Sequence, residues 1–178
     1  MLYTMFKKNY DKMGIVFKED AKYFLENVKA KTETCIITNS ETDSVVRKLH
    51  KMSDDHFYIP VYGNAKKYIL DDGWRDLPES AEKNGLDRPI FLRRKLYWNV
   101  LQQLMQEKNI SSEEVCVVGD IYELDLVMPE HKAMHIILTP REKTPQFEID
   151  WVKSYSRGYV ANGLSDAYSF IAGNLKAA

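Results

Sequence analysis

Short apolar runs that each stop at a turn, separated by stretches with helical periodicity, constrain this chain more than any other feature. The clearest run is Glu114–Asp120, EVCVVGD, a continuous apolar stretch closed by Gly119 and Asp120. A run of that kind without polar alternation is what a strand buried on both faces requires. Thr34–Asn39, TCIITN, has the same character and ends at a turn-prone Asn-Ser pair. MHIIL and GYVAN supply two more runs, and FYIPVYG, Phe57–Gly63, a further one in which Pro60 cannot donate to a ladder and suggests an edge or a bulge.

Helical segments lie between them. KEDAKYFLENVKA, from Lys18, spaces Ala21, Phe24, Leu25 and Val28 along one face, with acids early and lysines late as the helix dipole favours. Glu41–Met52 repeats the pattern through Val45, Val46, Leu49 and Met52. FLRRKLYWNVLQQLMQEKN carries an apolar stripe of Leu92, Leu96, Val100, Leu101 and Leu104 beside a basic face. Ser111, Ser112 and Glu114 read as a turn or short cap. A short helix near Asp125, one around FEIDWVKSY and one from Leu164 to Leu175 complete the series. Strands alternating with helices predict an α/β fold: a Rossmann-like, mostly parallel sheet with helices on both faces. Residues 64–88 interrupt it with Asp-Asp-Gly, Leu-Pro and Asn-Gly turn signals and room for a short strand at KKYIL.

Composition narrows the function classes. At 178 residues the chain suits one core, and 44% hydrophobic with 29% charged residues is a globular balance. The 25 basic residues are spread among 26 acidic ones, so no basic stripe stands ready for a nucleic-acid backbone. Met1–Tyr10 has neither the apolar core of a signal peptide nor a membrane-length run, which predicts a soluble, cytoplasmic protein. Cys35 and Cys116 sit in apolar runs and are expected to be buried and inert. His50, His56, His131 and His135 form no ligand pattern, and the tryptophans are expected to serve packing.

In a parallel sheet, ligands bind beyond the carboxyl ends of the strands, so residues just after each run come first. Thr38 and Asn39 end one run, Arg88-Pro89 precedes the long basic helix, and Gly119-Asp120 followed by Asp125 ends another. Singly, each is as ordinary as a strand end, a solvated turn or a helix cap. In this order, CIITNS, the arginine ahead of a helix and VCVVGDIYELDLVMP resemble the second, third and fourth motifs of the haloacid dehalogenase (HAD)-like hydrolase superfamily, over roughly Val16–Leu175. No GxGxxG or GxxxxGK[ST] supports a nucleotide-binding alternative.

The resemblance implies a phosphatase-type, Mg²⁺-assisted phosphoryl transfer on a phosphorylated small molecule. Thr38, Asn39 and Arg88 would hold the phosphate, with Thr38 and Arg88 catalytic; Asp120 and Asp125 would hold Mg²⁺, and Glu123 would face solvent or cap a helix. The superfamily's first motif, Asp-x-Asp at the end of the central strand, supplies the nucleophile, and the chain departs from the pattern there. Upstream of Thr38 only Asp11 and Asp20 are available, and neither follows an apolar run. Residues 1–17 therefore read as the remnant of a cap segment and 18–178 as the HAD-like core, with the central first strand and most of the cap absent. A shortened chain, a misplaced start, a split protein and a degenerate gene all fit. Such a chain is expected to be inactive or incomplete, to bind Mg²⁺ weakly if at all, and to leave a gap for self-association or for a complementing N-terminal segment. A catalytically silent HAD-like binding protein is the alternative.

Overall fold

The computed structural model describes residues 17–53 and 57–174. Asp11 and nearly all of the expected cap remnant lie outside the described residues. Strand β1 (Ile36–Ile37) follows helix α1 (Ala21–Lys29), and helix α2 (Thr42–Met52) leads on to β2 (Val61–Tyr62). After the turn-rich excursion come β3 (Ser80–Ala81), β4 (Ile90–Phe91) and the long helix α3 (Lys95–Lys108). The remainder is β5 (Cys116–Gly119), a π-helical turn (Tyr122–Leu126), α4 (Val127–His131), β6 (His135–Leu138), α5 (Gln146–Ser154), β7 (Gly158–Val160) and α6 (Leu164–Asn174).

The sheet is divided. β1 pairs with β2 in parallel, β5, β6 and β7 form a separate parallel sheet in that order, and β3 pairs with β4 antiparallel. Sequence periodicity predicts one sheet, whereas the described residues hold three small ones. The longer runs shrink accordingly: Thr34–Asn39 keeps two ladder residues, and Pro60 stays in register only as an acceptor, its carbonyl taking the Ile36 N–H at 2.9 Å. KKYIL is a turn, and the strand of the excursion is at Ser80–Ala81 instead. The long helix starts at Lys95, because Ile90 and Phe91 are drawn into β4. It stops at Asn109, whose left-handed backbone (φ 53°) returns its N–H to the carbonyls of Met105 and Gln106.

Helices cover both faces of the three-stranded sheet. Ile136 and Leu138 face a core built from α3, α4 and α5, including Tyr97, Trp98, Leu101, Val127, Met128, Trp151 and Val152, joined by Trp74 and Leu77 of the excursion. Ile137 points to the opposite face and meets Phe24 and Val28 of α1 and Ala167 of α6. The alternation follows from the two-residue period of a strand. All three tryptophans are packing residues: Trp74 stacks on Trp98 with centroids 6.2 Å apart, and the Trp151 Nε1–H donates to the Asn84 carbonyl at 2.8 Å.

Asp20 has a structural task. Its carboxylate accepts the backbone N–H of Ser165 at 2.9 Å, across 145 residues of chain, and so caps the first turn of α6 from the start of α1. That N–H holds the Asp20 carboxyl below the ordinary aspartate value. A group with a depressed folded pKa stabilises above its unfolded pKa and stops doing so as pH falls through the folded one. Asp20→Ala is expected to remove about 1 kcal/mol of stability at neutral pH. The difference from the parent should vanish in urea titrations taken below the aspartate range.

Candidate active site

The carboxyl ends of β1 and β5 meet at one cation, Lys67. Thr38 leaves β1 with its N–H on the Tyr62 carbonyl (3.0 Å) and its carbonyl on the Ala65 N–H (2.9 Å). Its hydroxyl oxygen accepts the Ser40 N–H at 3.2 Å, so the hydroxyl proton remains free to donate. Asn39 turns its side-chain oxygen onto the Lys67 N–H at 2.7 Å, fixing the excursion to the end of β1. The Lys67 ammonium then reaches Asp125, Nζ to Oδ1 2.8 Å, with side-chain exposures of 11% and 14%. Tyr97 supports both: its ring lies 4.8 Å below the ammonium, and its hydroxyl donates to the Asp125 carbonyl at 3.2 Å.

Asp125 can reach this place because Gly119 has no side chain. A Cβ there would lie 2.5 Å from the Asp125 Cβ. The second Asp125 oxygen accepts the Ile121 N–H at 3.2 Å, so the carboxylate closes the π-helical turn as well as pairing with Lys67. Gly63 has an equivalent role after β2, where a Cβ would lie 2.4 Å from the Thr42 nitrogen.

Two arginines stand on the other side of this cluster. Arg94, immediately ahead of α3, is 4% exposed, and its Nη1–H donates to the Lys67 carbonyl at 2.5 Å. Its Nη2 is 3.7 Å from Glu123, while its Nε has no hydrogen-bond partner. Burial pulls the guanidinium below its ordinary value, against the opposing pull of Glu123 and Asp125. Arg88 is exposed and holds Glu123 by two bonds, at 3.2 and 2.7 Å. The arginine directly before α3 is thus Arg94, and Arg88 acts on the cluster only through Glu123. Glu123 is engaged with arginines rather than turned to solvent.

Asp120 projects beside Arg141, Oδ2 to Nε 3.5 Å, and is half exposed. Asn39 and Asp125 both bond Lys67, Thr38 adjoins Asn39 and bonds Tyr62, Ala65 and Ser40, and Asp120 and Arg88 are held by other partners. Neither Lys67 nor Arg94 is marked by sequence pattern: Lys67 sits in a turn region and Arg94 in a basic stretch, and only burial separates them from their neighbours. The donors present do not fit Mg²⁺. Asp125 has both oxygens engaged, Asp120 faces a guanidinium, and among the described residues no three of His, Cys, Asp and Glu gather.

The cysteines differ from expectation. Cys35 is half-buried and Cys116 is exposed, both as free thiols. Close surrounding atoms nevertheless raise their pKa values, Cys35 to about 11 and Cys116 to about 12. The thiolate of each is therefore scarce at neutral pH.

A parallel-stranded α/β core with a cation–carboxylate cluster at the strands' carboxyl ends defines the class, a Rossmann-like α/β fold. Neither a family model nor a curated protein sequence matches the chain. Among solved structures, an uncharacterized protein from Listeria monocytogenes serotype 4b superposes with a TM-score of 0.53 at 18% identity, over 90% of this chain and 82% of that one. A p-nitrophenyl phosphatase from Archaeoglobus fulgidus is similar at a TM-score of 0.32 and 12% identity, over 94% and 81% of the two chains. The first is a likeness of fold, and the second is too loose to build on. No helix among the described residues is long and apolar enough to cross a membrane.

Lys67→Met should leave the Asp125 carboxylate unpaired in a nearly closed site and cost about 3 kcal/mol. The double change Lys67→Met with Asp125→Asn should recover a large part of that loss. A double-mutant cycle read by urea unfolding gives the coupling, and additive losses would mean the pair contributes nothing.

Proposed function

We propose that this chain is a HAD-like domain that binds a phosphorylated small molecule at the carboxyl ends of β1 and β5, and that it is silent as a phosphatase unless a further carboxylate is brought to the site. The observation that carries the reading is the meeting of Asn39 and Asp125 at Lys67, with the Thr38 hydroxyl one residue before Asn39 and the buried Arg94 bonded to the Lys67 carbonyl. Hydroxyl, ammonium and guanidinium donors together suit a phosphoryl group, whose oxygens accept on several sides.

Silence follows from the carboxylates. Covalent phosphoryl transfer needs an unengaged carboxylate in line with phosphorus. Asp125 is held by Lys67 and the Ile121 N–H, and Glu123 by Arg88 and Arg94. Asp20 caps α6, and Asp120 stands at Arg141. Within this reading Thr38 and Lys67 orient the phosphate, and Arg88 tunes the cluster by holding Glu123. The second reading, a binding protein that never turns its ligand over, is favoured by the double engagement of Asp125.

Inorganic phosphate should bind saturably in calorimetry, and Thr38→Val, which keeps the β-branched shape and removes the donor, should weaken it about tenfold. The same preparation should not hydrolyse an aryl phosphate with Mg²⁺ present, and Mg²⁺ alone should give no saturable heat in the micromolar range. Unaltered phosphate binding in Thr38→Val would remove the proposed site. Mg²⁺-dependent turnover lost in Asp125→Asn would show that a nucleophile is present after all.

A further inference from the structure

Lys66 and Lys67 are adjacent lysines with opposite fates, Lys66 exposed and Lys67 buried. The backbone decides between them. Asn64 and Lys66 both adopt left-handed conformations, at φ 52° and 46°, which for the lysine is a strained state that the surroundings must hold in place. Hydrogen bonds from the end of β1 and the start of α3 do so. The Asn64 N–H donates to the Ser40 carbonyl at 2.8 Å and the Ala65 N–H to the Thr38 carbonyl at 2.9 Å. The Lys67 N–H donates to the Asn39 side-chain oxygen at 2.7 Å, and the Lys67 carbonyl accepts from Arg94 at 2.5 Å. A turn clamped at four points carries the Lys67 side chain inward to Asp125.

There the ammonium meets a residue with every oxygen engaged. Asp125 Oδ1 holds Lys67 at 2.8 Å, Oδ2 accepts the Ile121 N–H at 3.2 Å, and the backbone carbonyl accepts the Tyr97 hydroxyl at 3.2 Å. The Tyr97 ring, 4.8 Å from the ammonium, adds the attraction of its negative face. A divalent ion would have to take Oδ1 from the lysine and then share a nearly closed place with a displaced ammonium. It would also enter a cluster already one positive charge in excess, with Lys67, Arg88 and Arg94 against Asp125 and Glu123. Repulsion at that spacing, in a poorly solvated site, outweighs what a single carboxylate oxygen offers an ion that gives up its waters reluctantly. Asp120, the other expected ligand, stands at Arg141.

We propose that the Lys67 ammonium is the resident cation of this site: it stands where the superfamily resemblance puts Mg²⁺, and a phosphoryl group is held here by a tethered single charge without a divalent ion. The part about the ligand rests on the phosphate reading above, whereas the part about the cation rests on the Lys67–Asp125 geometry alone. A tethered ammonium is present in every molecule, so filling of the site is independent of the divalent-ion concentration. It offers N–H donors rather than coordination positions, so it takes phosphate oxygens by charge-assisted hydrogen bonding.

Mn²⁺, which broadens the NMR signals of amides near it, reports on the cation's place directly. In the 178-residue chain Mn²⁺ should not selectively broaden the amides of Lys67, Ile121 and Asp125, and selective broadening there overturns the proposal. Lys67→Met should bind Mn²⁺ about tenfold more tightly than the parent, with the Ile121 and Asp125 amides now broadened, and Lys67→Met with Asp125→Asn should lose that gain. Equal Mn²⁺ affinity in the parent and Lys67→Met overturns the proposal too. The parent spectrum decides even where Lys67→Met is too unstable to study. Phosphate affinity of the parent should agree within about twofold between chelator and excess Mg²⁺, and a tenfold gain with Mg²⁺ would count against a resident ammonium. Absence of phosphate binding in both buffers removes the phosphate reading, and the Mn²⁺ result then decides on the cation by itself.

Discussion

The contact between Lys67 and Asp125 joins three parts of the chain that share no strand pairing. One end reaches β1 through Asn39, the other reaches β5 through the π-helical turn, and the lysine itself belongs to the excursion. Two parallel sheets that do not bond to one another would otherwise be related only by the helices packed beneath them. A nearly buried ion pair is a weak source of net stability, since desolvating both charges offsets most of their attraction, but it is a strong source of geometric definition. Here it sets where the end of β1 stands relative to the end of β5, and Gly119 gives up its side chain to let Asp125 take part. Arg94 adds a second tie by donating to the Lys67 carbonyl, so the excursion is held by its backbone and its side chain together.

The same arrangement decides what chemistry is available. A cluster holding three cations and two carboxylates neutralises all but one of its charges: Lys67 takes Asp125, and Arg88 and Arg94 share Glu123. What remains over among the described residues is donor capacity, namely the Thr38 hydroxyl proton and the Arg94 Nε. A site with leftover donors attracts anions. Attack on phosphorus and the binding of a hard cation both need a carboxylate oxygen with nothing else to do.

Much of the fold was legible in the sequence because it depends on periodicity. The apolar runs at Cys116–Gly119 and His135–Leu138 and the stripes of α1 and α3 announce their elements directly. What pattern could not show is pairing. Thr34–Asn39 has the composition of a buried strand, yet only Ile36 and Ile37 find a ladder, since a run's residues do not specify whether a neighbour exists. The site divides in the same way. Thr38, Asn39 and Asp125 were recognisable because they follow apolar runs, whereas Lys67 and Arg94 have no local signature and owe their importance to burial at 8% and 4% exposure. Arg88 stood out as the arginine ahead of the long helix, and folding places it at the surface on Glu123. Cys116 misled for a related reason: its neighbours are apolar, but the residue itself is exposed.

Among the described residues β5 pairs with β6 alone, so its other edge has no ladder partner there. An apolar strand with a free edge is nonetheless a template for pairing, and natural edges of that kind are usually blunted by charge, proline or a bulge. β5 has no such protection along Cys116, Val117 and Val118, and its two faces are already covered by helices. A strand shielded on both faces by helices has the character of an interior strand, whatever its pairing at the edge.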